Sequence, residues 1–352
     1  MRRVIIFGGY GVFGSHIARA LTAWGIPITI AGRNLREAEK LAHHLGGDCR
    51  ALMCDLARPV ACRAALAGHG VAVNAAGPFQ GLDTTLLESC LEAGCDYADI
   101  ADDRGYVARV RSLHDAFAAR KLAAVVGCSS LPGISGALAS LLRETVTAPV
   151  ARARVTMFIG SKNAKGRAAL RSFLSGLGKK IAAPQGTLLG FRDREVVPLP
   201  PPFGSRGVFN FDAPDYDLLP CLLNTPSVSV KVGFESRLAT GTFALIARLG
   251  LGRFMEPLPH ELPGRMLSWF GCRGGAVMVE LFLGDGSVRR AALVSSTAGQ
   301  RMAALPCAIV ARTLAQDGGQ RVGVATAYEF LGARELLEQL AEEGFAWREE
   351  GR

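Results

Sequence analysis

The chain has 352 residues, a length that predicts two domains or one large one. Apolar residues make up 49% and charged residues 20% of it, which excludes a disordered or fibrous protein. The net charge of +9 would by itself suit a nucleic-acid or membrane-surface protein. Segment 145–192, however, carries nine basic residues and no acidic one, so the whole excess lies in this basic segment.

The cysteine pattern and the hydropathy indicate the cellular compartment of the protein. The nine cysteines never form a Cys-x-x-Cys pair, and their number is odd, so a disulfide framework or a structural zinc site is difficult to assemble. No uncharged apolar stretch reaches the roughly 18 residues that a membrane span requires. The sequence therefore predicts a reduced, cytoplasmic protein without a transmembrane segment, and no cluster of ligand residues suggests a metal site.

Short apolar runs alternate with helical patterns over the first 127 residues, which is typical of a parallel sheet covered on both faces. Strands are predicted at 4–7, 27–31, 50–54, 71–75, 97–100 and 123–127. Helices are predicted at 12–24, 35–45, 59–67, 82–93 and 105–121, where apolar residues recur every three or four positions. This order predicts a Rossmann-type, doubly wound α/β domain over residues 1–130.

The pattern changes after residue 130. Helices are predicted at 134–142, 167–181, 300–315 and 333–342, strands at 153–159, 227–234, 276–283 and 288–294, and a proline-rich loop at 198–202. Gly284, Asp285 and Gly286 predict a hairpin between the last two strands. We therefore expect residues 131–352 to form an α+β domain for substrate binding and dimerisation, with a mainly antiparallel sheet. Its last helices either belong to this domain or pack back on the first domain.

A glycine-rich loop directly follows the first predicted strand and opens a helix. Gly9, Gly11 and Gly14 have the GxGxxG spacing of dinucleotide-binding loops. Gly9 permits the tight turn, Gly11 lets backbone N–H groups approach a pyrophosphate, and Gly14 lets the helix pack closely on the strand. Val12 and Phe13 lie in the same loop, where the amino end of the helix offers N–H groups to an anion.

The end of the second strand indicates which nucleotide binds. NAD sites usually carry an acid there, which binds the ribose 2′-hydroxyl. This chain has no acidic residue before Glu37, and Gly32 is followed by Arg33 and Asn34. Arg33 can pair with a 2′-phosphate and stack on the adenine, although a solvated surface arginine would give the same pattern. The sequence therefore favours NADP(H) as the cofactor.

The ends of the third and fourth strands supply further candidate cofactor contacts. Asp55 could contact the adenine edge or, equally, cap the following helix. The segment after the fourth strand lies at the switch in strand order, where ligands bind in such sheets. It consists of Ala75, Ala76, Gly77, Pro78 and Phe79. Its small residues leave room for the nicotinamide ribose, and Pro78 and Phe79 are candidates to wall the nicotinamide ring.

Acids and a cysteine follow the fifth and sixth strands at the same edge of the sheet. Asp99 and Asp102 are candidates to protonate an amine or hold an iminium, whereas Asp102 or Asp103 could instead cap the next helix. Cys128 is a candidate thiol, with a buried apolar filler as the alternative. Serine, histidine and acid do not occur in a spacing that predicts a hydrolase.

The basic segment contains a predicted amphipathic helix with Arg167 and Arg171 four residues apart. These arginines are candidates to bind a carboxylate or phosphate of the substrate, with a solvated polar face as the alternative. Aromatic residues are sparse there and no recognition motif accompanies the charge, so we expect no nucleic-acid partner.

Several segments together resemble the saccharopine dehydrogenase (reductase) family. They are GGYGVFG, AGRN, NAAGPFQG, GCDYADIAD and GCSSLPGIS. The resemblance covers roughly the first 140 residues and implies an NAD(P)(H)-dependent enzyme that forms or cleaves a secondary amine through an imine. Leu131 departs from the pattern, because relatives often have an acid there that helps to shape the amino-acid site.

The leading hypothesis is an NADPH-dependent oxidoreductase that transfers hydride to an imine or a carbonyl of a small acidic substrate. One alternative is reduction of a C=C bond on a lipid-like or carrier-bound acyl chain, with the basic segment docking an acidic carrier or an anionic membrane. Another is a nucleotide-binding or scaffold protein without turnover. The expected partner is a small-molecule substrate, and the expected assembly is a homodimer.

Overall fold

A computed structural model of the chain describes residues 1–164, 166–251, 271–317 and 321–351. The chain divides into two compact units. The first consists of Met1–Ser129 and Ala303–Gly332, and the second of Ser130–Met302 and Ala333–Arg352. Each unit contains one seven-stranded sheet. The assignment of substrate binding and dimerisation to residues 131–352 stays a prediction.

The described elements are numbered here in chain order. The strands are β1 (Val4–Phe7), β2 (Ile28–Gly32), β3 (Cys49–Met53), β4 (Val71–Asn74), β5 (Asp96–Asp99), β6 (Ala123–Val126), β7 (Val150–Ile159), β8 (Lys180–Ala183), β9 (Gly186–Leu189), β10 (Glu195–Leu199), β11 (Gly204–Asn210), β12 (Val228–Phe234), β13 (Gly275–Leu283), β14 (Val288–Ser295), β15 (Gly323–Thr326) and β16 (Trp347–Gly351). The helices are α1 (Val12–Ala23), α2 (Leu35–Leu45), α3 (Pro59–Leu66), α4 (Thr85–Ala93), α5 (Arg104–Arg111), α6 (His114–Ala119), α7 (Ser135–Glu144), α8 (Arg167–Ser175), α9 (Asp215–Leu223), α10 (Arg237–Arg248), α11 (Gly299–Asp317), α12 (Ala327–Leu331) and α13 (Ala333–Glu342). Within the described ranges, no helix is both long and apolar enough to cross a membrane.

The first sheet is parallel throughout and has the strand order β15-β6-β5-β4-β1-β2-β3. Every residue of the central strands β1, β4, β5 and β6 is buried. Strands buried on both faces need apolar residues throughout, which explains why these read as continuous runs rather than alternating ones. The order reverses between β1 and β4, and this confirms the prediction of a Rossmann-type doubly wound sheet.

Two features of the first unit differ from the prediction. The single helix expected at 105–121 is divided into α5 and α6, because the Ser112 hydroxyl donates to the carbonyl of Arg109 (2.7 Å) and the chain turns at Leu113. Strand β15 was not predicted, because a run of four residues between two helices shows no periodicity of its own. It pairs with β6 although some 200 residues separate the two strands.

The second sheet has the order β10-β11-β12-β7-β13-β14-β16. Only β12 and β7 pair in parallel, and every other neighbour is antiparallel. This confirms an α+β unit with a mainly antiparallel sheet. The predicted hairpin joins β13 to β14, and Asp285 Oδ1 accepts a hydrogen bond from the backbone N–H of Ser287 (2.9 Å) within its turn.

Two predictions for the second unit were wrong. The helix expected at 167–181 ends at Ser175, because Gly176 and Gly178 follow and Gly178 has a φ of +73°; Lys180–Ala183 then forms a strand. The loop expected at 198–202 begins two residues later, because Pro198 and Leu199 end β10. A proline fits there because β10 is an edge strand, where one side of the backbone needs no partner.

A row of ion pairs crosses the second sheet. Lys231 Nζ lies 2.7 Å from Glu195 Oε1, and Arg154 Nη1 lies 2.9 Å from Glu195 Oε2. Glu280 accepts from Arg154 on one side (2.7 Å) and from Arg290 on the other (2.9 Å). These three residues are register partners on β7, β13 and β14. Arg154 is therefore paired within the sheet and does not contribute a free charge to the basic segment.

Glu280 is the centre of this row and is fully buried. We expect Glu280→Ala to lower the free energy of unfolding by about 3–5 kcal/mol, because it leaves two partly buried guanidinium groups without their carboxylate. Urea unfolding followed by circular dichroism measures the loss. Glu350→Ala is the matched control: its carboxylate is exposed and lies 3.9 Å from Arg290, so its effect should stay within about 1 kcal/mol. Equal losses for the two variants would contradict this account.

Candidate functional site

The glycine loop brings α1 into direct backbone contact with the end of β1. A Cβ placed on Gly14 would lie 2.2 Å from the carbonyl oxygen of Gly8, and one on Gly8 would lie 2.9 Å from the backbone of Ala75. Gly8 also has a φ of +72°, which favours glycine. Gly11 is the N-cap of α1, and no side chain caps the helix there. The amino end of α1 is therefore built from backbone alone, as an anion site requires.

The end of β2 is organised by Tyr10, a residue of the same loop. Its hydroxyl oxygen accepts a hydrogen bond from the backbone N–H of Asn34 (3.0 Å), and Asn34 Oδ1 accepts from the N–H of Glu37 (3.4 Å), capping α2. Arg33 is exposed, and none of the described residues forms an ion pair with it. The Asn34 side chain thus serves α2, whereas the guanidinium of Arg33 is available to a ligand.

Asp55 closes a turn rather than capping α3. Its Oδ1 accepts from the backbone N–H of Ala57 (3.2 Å), and the N-cap of α3 is Arg58, whose side chain makes no capping bond. Asp55 is half-buried at the end of β3. The helix-cap alternative is therefore not what the structure shows, and the contact with adenine stays a prediction.

The segment after β4 packs on the glycine loop. The N–H of Ala75 donates to the carbonyl of Phe7 (2.9 Å), and Asn74 Oδ1 accepts from the N–H of Ala76 (3.0 Å). Residues 75–78, which include Gly77 and Pro78, are half-buried. Phe79 differs from the expectation: its ring is buried and lies 5.2 Å, centroid to centroid, from the ring of Tyr106. That ring packs in the core, and its contact with the nicotinamide stays a prediction.

A buried tyrosine pair lies beneath this segment, and the sequence analysis missed it. The hydroxyl oxygens of Tyr97 and Tyr106 lie 2.8 Å apart. Burial is the main cause that raises the pKa of both phenols well above the ordinary value, so both stay neutral. Buried hydroxyls that hydrogen-bond to each other fix the packing of the core beneath the segment after β4. The sequence signal was limited to two tyrosines nine positions apart, on a strand and on the following helix.

The carboxylate of Asp99 links the end of β5 to the loop that follows β6. Its Oδ1 accepts from the backbone N–H groups of Gly127 (2.8 Å) and Ala101 (3.0 Å). Its Oδ2 is buried without a hydrogen-bond partner among the described residues. Burial, opposed by the two N–H donors, raises the pKa of Asp99 to about 7. A carboxyl that is fully buried and bonded in this way acts as a structural clamp, and a substrate cannot reach it.

Asp102 and Asp103 have separate roles. Asp103 Oδ1 accepts from the backbone N–H of Tyr106 (2.8 Å) and caps α5, which is the alternative weighed for this pair. Asp102 is half-buried, and its carboxyl is free of protein hydrogen bonds to other described residues. Burial, and after it the negative charge of Asp103, raises the pKa of Asp102 to about 6. Of the acids after β5, Asp102 is therefore the one available for chemistry.

Cys128 is fully buried, and its Sγ lies 3.3 Å from the carbonyl oxygen of Val125. Burial, together with the neighbouring thiol of Cys307, raises its pKa well above the ordinary value. A thiol that is neither accessible nor ionised is a poor nucleophile. The geometry thus favours the apolar-filler interpretation over a catalytic thiol.

The candidate residues of the first unit meet at one edge. Because its strands are parallel, Phe7, Gly32, Asn74, Asp99 and Val126 all end at the same side of the sheet. The glycine loop, Arg33, the segment after β4 and Asp102 follow these ends. Arg167 and Arg171 lie on α8 of the second unit; their side chains fall outside the described residues.

This edge has the arrangement of a dinucleotide site, and comparison with known proteins gives similar domains. Residues 4–125 match the family described as the saccharopine dehydrogenase NADP binding domain. The match covers the N-terminal part of the chain, about a third of its length. The match confirms the resemblance read from the motifs and supports binding of a nicotinamide dinucleotide.

One curated relative and one solved structure extend the comparison. Carboxyaminopropylagmatine dehydrogenase from Synechocystis sp. is 31% identical over 147 residues, which are 39% of this chain and 36% of that protein. The match thus spans about a third of that curated relative. Apo saccharopine dehydrogenase (L-Glu forming) from Saccharomyces cerevisiae aligns over 100% of both chains with a TM-score of 0.70 and 15% identity. At that identity, the likeness concerns the fold alone.

The raised pKa of Asp99 makes the stability of the first unit depend on pH. The unfolded chain loses this proton near its ordinary pKa of 3.8 and the folded chain near 7. The contribution is therefore complete below pH 4 and is lost as pH rises through 7. Asp99→Asn keeps an oxygen acceptor and does not titrate. Relative to wild type, its free energy of unfolding should rise from about pH 5 to about pH 8.

Urea unfolding of wild type and variant at several pH values measures this difference. Asp103→Asn is the matched control, because it removes a nearby negative charge and keeps a residue that caps helices well. A difference between Asp99→Asn and wild type that stays constant over this range would contradict the assignment.

Proposed function

We propose that the protein is an NADPH-dependent oxidoreductase that reduces an imine or a carbonyl of a small acidic substrate. The observation that carries the proposal is the backbone cradle formed by Gly8, Gly11 and Gly14, which a single Cβ would fill. Such a cradle at an uncapped helix end suits a pyrophosphate. A curated relative that is named a dehydrogenase supports the oxidoreductase class.

The preference for NADPH rests on the end of β2. Gly32 occupies the position of the acid that binds a ribose 2′-hydroxyl, and the exposed Arg33 follows it. A guanidinium is permanently charged and forms paired hydrogen bonds with phosphate oxygens. The amino end of α1 would hold the pyrophosphate, Arg33 the 2′-phosphate, and the half-buried segment after β4 the nicotinamide ribose.

Asp102 is the proposed proton donor. Bound NADPH supplies the hydride, and the carbon that accepts it becomes more electrophilic when the attached nitrogen or oxygen is protonated. With a pKa of about 6, the Asp102 carboxyl exchanges protons near neutral pH, which suits a general acid. Asp99 and the tyrosine pair fix the strand ends from which Asp102 projects.

Other parts of the sequence hypothesis remain predictions. Arg167 and Arg171 are the candidates to bind the acidic group of the substrate. The homodimer and the cytoplasmic location were inferred from sequence alone. Reduction of a C=C bond and nucleotide binding without turnover are outcomes that the experiments below distinguish from the leading proposal.

Arg33→Ala tests the cofactor. We expect the Kd for NADPH to rise about 10- to 100-fold, because charge-assisted hydrogen bonds to the 2′-phosphate are lost, while the Kd for NADH changes little. Fluorescence titration with both nucleotides measures the two constants. Arg19→Ala is the matched control, since Arg19 is an exposed arginine on α1 outside the loop. Equal weakening of NADPH and NADH by Arg33→Ala would remove the assignment.

Asp102→Asn tests the proton donor. With pairs of an amine and a 2-oxo acid as substrate, we expect kcat to fall about 100-fold or more and the Kd for NADPH to stay unchanged. The wild-type rate should decline as pH rises through about 6, because Asp102 loses its proton; the residual rate of the variant should lack this step. NADPH oxidation measures both.

The same assay decides the reaction class. An unaltered kcat in Asp102→Asn would exclude this residue as the donor. Turnover of enoyl thioesters in place of the amine and 2-oxo acid pairs would favour C=C reduction. Tight NADPH binding without turnover of either set would favour a protein that binds the nucleotide and does not react it.

A further inference from the structure

Tyr10, between Gly9 and Gly11 of the loop, packs on the end of β2. A Cβ placed on Gly32 would lie 2.4 Å from Tyr10 Cε1 and 2.7 Å from its hydroxyl oxygen. Non-bonded carbon atoms do not approach so closely, so the phenol fills the space that any side chain at position 32 would need. This is the position at which NAD sites carry their acid. An NAD-type acid at position 32 would therefore require the ring of Tyr10 to move from the place it occupies.

The hydroxyl of Tyr10 fixes the turn that carries Arg33. Its oxygen accepts from the backbone N–H of Asn34 (3.0 Å), and Asn34 is fixed in turn as the cap of α2. Gly32 lies under the ring and Asn34 is bonded to the hydroxyl, so both neighbours of Arg33 are held by one side chain. The backbone of Arg33 is thereby positioned, and only its side-chain torsions remain to be ordered by a ligand.

The same hydroxyl keeps a hydrogen-bond donor. A tyrosine hydroxyl has one proton to donate besides its acceptor lone pairs. The N–H of Asn34 occupies a lone pair, and no described residue accepts the proton. The group is half-buried at the cofactor edge, where Arg33 follows. A donor beside an exposed guanidinium suits an anionic oxygen.

We propose that Tyr10 determines the selectivity of the site for a 2′-phosphorylated nucleotide. Its ring fills the space beside position 32 and disfavours an acid there, and its hydroxyl positions Arg33 and donates to the 2′-phosphate. The inference rests on the proposed NADPH-dependent function. It adds a positioning residue inside the glycine loop to the arginine that follows β2.

Tyr10→Phe tests the hydroxyl and keeps the ring. We expect the Kd for NADPH to rise about tenfold, because a hydrogen bond to a charged oxygen is lost, and the Kd for NADH to stay within about twofold. Fluorescence titration of the full chain with each nucleotide measures the ratio of the two constants. A purely structural role would weaken both nucleotides alike. That result, or an unchanged Kd for NADPH, would overturn the inference.

Gly32→Asp, alone and combined with Tyr10→Ala, tests the ring. With Tyr10 present, an aspartate at position 32 has to displace the ring, so we expect weaker binding of both nucleotides and a lower melting temperature. With Tyr10→Ala the space opens, and the double variant should bind NADH more tightly than wild type and NADPH at least tenfold more weakly. A double variant that still prefers NADPH would contradict the exclusion by the ring.

Titration of wild type distinguishes a failure of the proposed function from a failure of the role assigned to Tyr10. If wild type binds neither nucleotide, or prefers NADH, the proposed function fails. If wild type prefers NADPH and Tyr10→Phe keeps the same ratio of constants, the proposed function stands and only the role of Tyr10 is wrong.

Discussion

The cofactor edge depends on one backbone contact, the approach of Gly14 on α1 to the carbonyl of Gly8. An added Cβ would lie 2.2 Å from that oxygen, so the helix can lie this close to β1 only if residue 14 has no side chain. The contact aims the amino end of α1 at the space above the strand ends. Gly8 touches the backbone of Ala75 in the same way, so β1, α1 and the segment after β4 meet through backbone contacts.

A second constraint, the burial of polar groups, divides the work among the acids after β5. The N–H groups of Gly127 and Ala101 are buried between β5 and β6 and need an acceptor, which Asp99 supplies. The first turn of α5 needs a cap, which Asp103 supplies. Both carboxyls are used by the fold. Asp102 lies between them in the chain and serves neither purpose, which is why it is the acid proposed above as proton donor.

The features that the sequence predicted correctly depend on residues close together in the chain. The features that it missed depend on contacts between residues far apart in the chain. The glycine spacing and the buried strands are local patterns, and they predicted the first sheet except β15. The burial of Phe79 was not predicted because it depends on Tyr106, a residue on another element. Tyr10 was overlooked because its meaning lies in its contact with Gly32, 22 positions away. The basic segment could not be interpreted as a single feature, because Arg154 within it pairs with carboxylates on β10 and β13.

The contact between Tyr10 and Gly32 also changes how cofactor preference is read from such a sequence. The absence of an acid at the end of β2 is weak evidence by itself, because a glycine there could be a neutral replacement. An aromatic residue between the first two glycines gives that absence a steric cause: while the ring occupies the space, no residue larger than glycine fits. The two positions therefore constrain each other. A loop with a small residue in place of Tyr10 would leave room for an acid, and its preference could not be inferred from position 33 alone.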